Sequence, residues 1–287
     1  MGDQTPRAAD DGLWLEVTTD EYVISPGEER NVCYVQTLPS AINVDRFEYE
    51  SRAGIHHLLF NRLTKPEEEG SFECNVLFKP TWMVLFGTGT TGQQLEFPAG
   101  SAQVLSEGTQ VLVQLHLLNA SDQDLPVSAT VRMRHSEEPD PNPISMFTFG
   151  SDDINIPAGG EANTVGECKV PGDLHIAAML PHMHYLGRSL TLELGDPSRP
   201  TAPMQEFYRR DPWNFDNQYI DRMDALIPKG TPARVTCSFR NTTAQPVTFG
   251  DSSHDEMCFL VTYIVGERIG SCTTITDPMR LQKLFEN

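Results

Sequence analysis

Hydrophobic and polar residues alternate along many short runs of this chain. Residues 110–117 (QVLVQLHL) and 129–134 (ATVRMR) follow a period of two, and residues 259–265 are rich in β-branched and aromatic side chains. Successive side chains of a β-strand point to opposite faces, so this pattern is typical of strands. Helical spacing is almost absent, and only residues 278–284, near the C-terminus, are predicted to form a short helix.

Turn residues divide the chain into short strands and into two halves. The 21 glycines and 21 prolines are spread throughout, which predicts an all-β sandwich or barrel. Residues 135–143 contain three prolines and three acidic side chains, a composition typical of a linker. We therefore predict a disordered segment over 1–12, an N-terminal β-sandwich over 13–143 and a C-terminal β-sandwich over 144–287. We see no sequence repeat between the halves.

The charge balance limits the partners that this protein can have. Its 40 acidic and 21 basic side chains give a net charge of −19, which repels phosphate backbones and argues against a nucleic-acid partner. No apolar run reaches the ~18 residues of a transmembrane helix. The N-terminus does not look like a signal peptide. The protein is therefore expected to be cytosolic, or else a leader has been removed and a start Met added.

Six cysteines are dispersed along the chain, and none forms a C-x-x-C motif. That absence argues against zinc ribbons and thioredoxin-type redox sites. An even, dispersed set predicts three structural disulfides in an oxidising compartment. Six buried thiols in a cytosolic protein are the alternative.

The histidines are grouped in a way that is typical of metal ligands. His182 and His184 form an H-x-H motif, which on a strand places both imidazoles on one face. The adjacent pair His56 and His57 needs a bulge to reach one metal, because neighbouring side chains on a regular strand diverge. His116 lies in the alternating run 110–117. Each motif taken alone also fits ordinary strand histidines.

A methionine adds a soft candidate ligand to the histidines. Met257 follows Asp255 and Glu256 and precedes Cys258 at the start of an apolar run. Most methionines pack in cores. Two imidazoles and a thioether, however, are a ligand set for copper, because zinc and magnesium sites do not use thioether sulfur.

These motifs, taken in order from Trp14 to Cys272, resemble the copper type II, ascorbate-dependent monooxygenases. The resemblance implies two jelly-roll β-sandwich domains that face each other across a solvent-filled cleft, with one copper in each. By position, an electron-transfer copper would be held by His56, His57 and His116, and an oxygen-binding copper by His182, His184 and Met257. The resemblance also implies the disulfides Cys33–Cys74, Cys168–Cys272 and Cys237–Cys258.

The substrate-gripping positions depart from those of the peptide-processing members of that family. Those members hold a terminal carboxylate with Arg, Asn and Tyr, where this chain has Leu180, Phe259 and Val261. A buried carboxylate without such partners is costly. We therefore expect an apolar pocket and a substrate other than a peptidylglycine.

The resemblance implies an enzyme that hydroxylates a C–H bond of a small molecule with O2, its coppers reduced by ascorbate or another small reductant. It also implies a secreted, periplasmic or lumenal protein. A copper-binding or carrier protein without hydroxylase activity is the main alternative. A zinc hydrolase with three histidines is another, but it needs a carboxylate base and leaves Met257 unexplained. The oligomeric state is left open.

Overall fold

The computed structural model describes residues 13–50, 52–74, 79, 81–89, 92–199, 201–215, 217–250, 254–267 and 270–276. Over these ranges the regular elements are all strands, which confirms the predicted all-β class. The predicted disordered segment 1–12 and the predicted helix 278–284 lie outside the described residues. No helix within the described ranges is long and apolar enough to cross a membrane.

The strands follow one another at short intervals along both halves of the chain. In the first half they are β1 (Trp14–Thr18), β2 (Tyr22–Ile24), β3 (Glu29–Thr37), β4 (Ile42–Tyr49), β5 (Ile55–Leu63), β6 (Gly70–Glu73), β7 (Trp82–Thr88), β8 (Gln93–Glu96), β9 (Ser101–Leu105), β10 (Gln110–Leu118), β11 (Leu125–Val127) and β12 (Thr130–His135). In the second half they are β13 (Asn142–Ser151), β14 (Asn155–Ile156), β15 (Glu161–Lys169), β16 (Leu174–His182), β17 (Gly187–Leu194), β18 (Gln205–Arg210), β19 (Asp221–Ile227), β20 (Pro232–Arg240), β21 (Val247–Thr248), β22 (Phe259–Val265) and β23 (Cys272–Thr274).

The first half is a sandwich of two sheets. Strands β6-β3-β10-β5-β7 form one sheet, and β1-β12-β4-β9 form the facing one. Phe47 of β4 stacks on Phe86 of β7 with ring centroids 5.6 Å apart, so the core lies between the sheets. Val111, Val113 and Leu115 of β10 are fully buried in this core. They are the alternate positions that the period of two predicts.

The second half is built in the same way around its own core. Strands β13-β22-β16-β19 face strands β15-β20-β17-β18. Residues from both sheets meet in one apolar cluster, among them Phe149 of β13, Leu260 of β22 and Leu190 of β17. The ~25 cal/mol gained per Å² of apolar surface buried makes this packing the main stabilising contribution in each half.

The two halves share one topology, which the sequence did not reveal. Strands β1 to β5 occupy the same sheet positions in the first half as β13 to β17 in the second. In the same way, β7 and β9 correspond to β18 and β19. Strands β10 to β12 correspond to β20 to β22. The sequence marks of this repeat are sparse. The pair Gly108-Thr109 precedes β10 and the pair Gly230-Thr231 precedes β20.

The halves are joined through their sheets as well as through the chain. Asn142 and Pro143 at the start of β13 pair in parallel with Ser101 and Ala102 of β9. The predicted linker 135–143 is therefore shorter than expected, because His135 still belongs to β12 and β13 already begins at Asn142. Proline is tolerated there because it stands near the beginning of a strand.

Three disulfides hold the strands together. They are Cys33–Cys74, Cys168–Cys272 and Cys237–Cys258, the pairs that the resemblance implies, and none of the six cysteines is free. The first ties β3 to the chain after β6, the second β15 to β23, and the third β20 to the chain before β22. Disulfides of this kind contribute ~2–4 kcal/mol each by constraining the unfolded chain.

Candidate metal sites

The first histidine set is assembled by two neighbouring strands and a bulge. His57 of β5 stands opposite His116 of β10, whereas the next residue of β10, Leu117, pairs with Ile55. His56 is therefore the extra residue of a β-bulge. The bulge bends the strand and turns both adjacent imidazoles towards His116. This is the irregularity that joint ligation by the pair requires.

The imidazole nitrogens of this set are spaced as ligands of one ion. Nδ1 of His57 lies 3.0 Å from Nδ1 of His56 and 3.3 Å from Nδ1 of His116. The candidate ligand atoms of the three residues all lie within 4.8 Å of one another. Nitrogens bound to one metal at ~2.0–2.1 Å in tetrahedral geometry are ~3.3 Å apart. The three side chains therefore fit a three-imidazole metal site.

The surroundings keep the rings of His57 and His116 neutral, as metal ligands must be. Burial lowers the pKa of His57 well below its ordinary value, and the neighbouring imidazoles of His56, His116 and His182 lower it further. Burial also lowers the pKa of His116, against the opposing effect of Glu29. The Glu29 carboxylate lies 2.8 Å from Nε2 of His116 and orients the ring from the side away from the other histidines.

The second histidine set lies at a turn between two strands. His182 is the last residue of β16, and His184 falls in the irregular chain before β17. The prediction of one regular strand carrying both histidines is therefore wrong for His184. Their ring centroids are nonetheless 5.1 Å apart, because the turn that reverses the chain brings the second ring back beside the first.

A buried carboxylate brings Met257 to this turn. Glu256 is fully buried and accepts hydrogen bonds from the backbone N–H groups of His184 at 2.8 Å, Leu186 at 2.6 Å and Met257 at 3.3 Å. Burial raises the pKa of Glu256 to about 7, although the N–H groups around it act in the opposite direction. Sequence reasoning noted Glu256 only as a neighbour of Met257. The sequence signal for Glu256 was an acidic residue just before an apolar strand.

Hydrogen bonds set the tautomers of the second set. Nδ1 of His184 lies 3.0 Å from the carbonyl oxygen of Asp255, and Nδ1 of His182 lies 3.0 Å from Oε1 of Gln218. Both acceptors require the proton on Nδ1, so Nε2 of each ring carries the lone pair. Burial lowers the pKa of His182 to about 3, with a smaller contribution from His184. Two imidazoles and the buried thioether of Met257 are donors that suit copper.

The predicted pocket residues lie beside His182. Leu180 pairs with Val261, and His182 pairs with Phe259, across β16 and β22. Cross-strand partners and alternate residues share a face, so these apolar side chains lie on the His182 side of the sheet. Phe259 packs closely over Gly150 of β13, where a Cβ would meet its ring. The result is an apolar surface next to the second set.

Two residues that the sequence analysis missed lie between the histidine sets. Phe215 and Gln218 belong to the connection between β18 and β19 and are 8% and 6% exposed. The ring of Phe215 lies 5.0 Å from that of His57 and 6.1 Å from that of His184. Side chains of the second half therefore occupy the space between the two sets. An aromatic residue in an otherwise polar connection was the sequence signal for Phe215, and Gln218 carried no such signal.

A family comparison identifies the second half. The sequence model of "Copper type II ascorbate-dependent monooxygenase, C-terminal domain" matches residues 144–285. The matched segment is just under half of the chain. The match confirms the resemblance noted in the sequence over the second half, and the matched segment contains all the candidate ligands of the second set. No curated protein sequence matched the chain.

Comparisons with solved structures add no functional argument. An infectious bursal disease virus VP2 subviral particle matches at 10% identity, over 90% of this chain and 74% of that one, with a TM-score of 0.23. Allantoicase from Saccharomyces cerevisiae matches at 9% identity, over 83% and 78%, with a TM-score of 0.26. The relation of residues 144–285 to a known family therefore rests on the family match.

Proposed function

We propose that this protein is a copper-dependent monooxygenase that hydroxylates a C–H bond of a small molecule, using O2 and ascorbate or another small reductant. The observation that carries the proposal is the presence of two separate donor sets of the right composition. One is the three-imidazole cluster of the first half. The other, two imidazoles and a thioether, lies in the half that matches the monooxygenase family.

Each donor set has a distinct proposed role. His56, His57 and His116 would hold one copper as an electron store, and His182, His184 and Met257 would hold the copper that meets O2. Bound copper supplies one-electron chemistry towards O2 that side chains lack. The thioether favours the Cu(I) state in the second set. The chain itself positions these donors, keeps the imidazoles of His57, His116 and His182 neutral, and packs the ring of Phe215 between the two sets.

The apolar surface beside His182 supports a substrate that is not a peptidylglycine. Leu180, Val261 and Phe259 offer no charge or hydrogen bond to a carboxylate. Desolvating a carboxylate against them costs several kcal/mol, on the order of the transfer cost of an unpaired charge. We therefore propose that the reacting carbon belongs to an apolar part of a small substrate.

The disulfides support a proposed location. Three disulfides form and persist in oxidising compartments, so we assign the protein to a secreted, periplasmic or lumenal setting. The domain limits 13–143 and 144–287 remain our proposal, supported by the start of the family match at residue 144.

Copper loading tests the proposed function. Reconstituted protein should bind two coppers per chain, and Met257→Ile should weaken Cu(I) binding at one of them by at least about tenfold, because the isosteric side chain lacks the sulfur. The readout is competition with a chromophoric Cu(I) chelator. Met179→Ile, which changes a fully buried methionine of the same core, is the matched control.

Oxygen consumption separates the enzyme from a carrier. The enzyme should consume O2 with reductant at a rate that rises when a substrate from an apolar small-molecule library is added, and Met257→Ile should abolish that rise. Two bound coppers with no substrate-dependent O2 uptake would favour the copper carrier. Unchanged Cu(I) affinity in Met257→Ile would remove Met257 from the ligand set.

A further inference from the structure

Gln218 contacts a candidate ligand in each of the two metal sites. Its Oε1 lies 3.0 Å from Nδ1 of His182, and its Nε2 lies 3.2 Å from Nε2 of His57. Its Nε2 also donates to the carbonyl oxygen of Phe215 at 3.1 Å. One buried amide thus reaches the ligand sets of both halves of the molecule.

We propose that Gln218 is a positioning residue for both metal sites at once, so that metal binding in one half depends on a side chain of the other. This inference rests on the proposed assignment of the two histidine sets as metal sites. It adds a connection between them that neither the donor sets nor the family match supplies.

The hydrogen-bond chemistry at His182 is the first support. With Nε2 of His182 turned to a metal, its proton is on Nδ1 and needs an acceptor. The carbonyl end of the Gln218 amide is that acceptor. It fixes the ring in the ligating tautomer, the role that carboxylates and backbone carbonyls play for other ligating histidines.

The chemistry at His57 completes the connection. When Nδ1 of His57 binds a metal, the ring proton moves to Nε2, which lies 3.4 Å from the Phe215 carbonyl oxygen. That oxygen then accepts from both His57 and Gln218, and a carbonyl has two lone pairs for this purpose. Without a metal, Nε2 of His57 can instead accept from the Gln218 amide. With metal bound, Gln218 therefore acts on His57 through the Phe215 carbonyl to which both donate, whereas without metal it donates to His57 directly.

Gln218 is held between the halves by more than its side chain. Its backbone carbonyl accepts a hydrogen bond from the N–H group of Gly89, in the first half, at 3.2 Å. A second hydrogen bond joins the halves nearby, because the N–H of Ile220 donates to Oε1 of Gln93, in the first half, at 3.4 Å. On the other side, the indole of Trp213 donates to the carbonyl of His184 at 3.0 Å. The connection that carries Gln218 is thus anchored on both halves.

The test is the copper affinity of each site in Gln218→Leu, which keeps the size of the side chain and removes the amide. Loss of an outer hydrogen-bond partner weakens metal binding by about 10- to 100-fold. We expect a loss of that size at the second site and at least about a threefold loss at the first. First-site affinity is measured in a His184→Ala background, where the second site is disabled but His182 and Gln218 remain.

Two further variants separate positioning from a structural role. Gln218→Glu retains oxygen acceptors for His182 and should restore second-site affinity to within about threefold of the parent protein. Gln103→Leu removes another buried amide, which bonds only to the Leu85 carbonyl among described partners, and should leave both affinities unchanged. The Nδ1–H proton resonance of His182 should broaden or vanish in Gln218→Leu and persist in Gln103→Leu.

The outcomes are distinct from those that bear on the proposed function. If the parent protein binds two coppers and Gln218→Leu binds both with parental affinity, the inference is wrong and the metal sites stand. A loss at the second site alone would also overturn it, because the coupling across the halves would be missing. If the parent protein binds no copper, the proposed function itself is wrong.

Discussion

Glu256 shows how one buried side chain can organise a site without being a ligand. Its carboxylate accepts hydrogen bonds from the backbone N–H groups of His184 and Leu186 on one segment and of Met257 on another. These segments are far apart in sequence, the pairing of β16 with β22 brings them together, and the shared carboxylate then bonds to both. These N–H groups offset part of the cost of burying the carboxylate, although burial still raises its pKa to about 7.

Substituting this carboxylate should damage the second site selectively. Glu256→Gln replaces one acceptor oxygen by an NH2 group that faces backbone donors, so we expect a loss of ~2–3 kcal/mol in the free energy of unfolding. Copper affinity should fall at the second site and stay unchanged at the first. Urea unfolding and chelator competition measure the two effects. Glu167→Gln, on an exposed ion pair, is the control, and equal effects of both substitutions would contradict this role.

At the scale of elements, the repeat of the fold is supported by one repeated loop. Asn119 follows β10 and Asn241 follows β20, and each side chain is 1% exposed. The Asn119 amide donates to the carbonyl oxygens of Ile24 at 2.9 Å and Gln123 at 2.8 Å. The Asn241 amide donates in the same way to those of Ile156 and Gln245. Each loop thus uses an asparagine to replace missing backbone partners.

These asparagines lie in N-x-Ser/Thr patterns, yet their amides are structural. Oδ1 of Asn119 accepts from Ser121, and Oδ1 of Asn241 accepts from Thr243. Truncation leaves buried backbone groups without partners, so Asn119→Ala and Asn241→Ala should each cost ~2–3 kcal/mol of unfolding free energy. Exposed Asn163→Ala should stay within ~0.5 kcal/mol. Intact-mass measurement of folded protein expressed through a glycosylating secretory pathway should find no glycan at either site. A glycan there, or two neutral alanine variants, would contradict the structural role.

At the scale of the whole molecule, the two halves meet around neutral histidines. His57 lies in the first half and His182 in the second, and burial lowers the pKa of both. The folded metal-free protein therefore resists protonation at groups that the unfolded chain protonates below about pH 6.5. This makes its stability depend on pH through the interface itself.

Stability of the metal-free protein should fall as the pH is lowered. Because the folded-state pKa values lie below the unfolded value, the unfolded state binds more protons below about pH 6.5, and stability is fully present only above it. Each such histidine contributes a slope of about 1.4 kcal/mol per pH unit, for His182 down towards pH 3. Urea unfolding in chelator at pH 7, 6 and 5 measures it. His182→Gln should flatten the dependence relative to the parent, and an unchanged slope would contradict this reading of the interface.

The alternation of polar and apolar residues was sufficient to predict the strands, because the period of two follows from backbone geometry alone. Strand β10 shows this, since Val111, Val113 and Leu115 face the core as the pattern requires. The candidate ligands were also recognisable, because metal donors belong to few residue types and their motifs occur in order. The repeat between the halves was not predictable, because the strand order depends on buried apolar faces. Many different sequences can form such faces.

Only the tertiary structure decided what surrounds those ligands. Gln218 and Phe215 reach His57 from a different half of the chain, and Glu256 acts through backbone N–H groups. Such contacts depend on where loops lie after the sheets have packed, and a hydrogen bond to the backbone places no demand on the partner's residue type. The chain therefore determines its strands and donors locally, whereas the connection between its two histidine sets exists only once both halves have folded against each other.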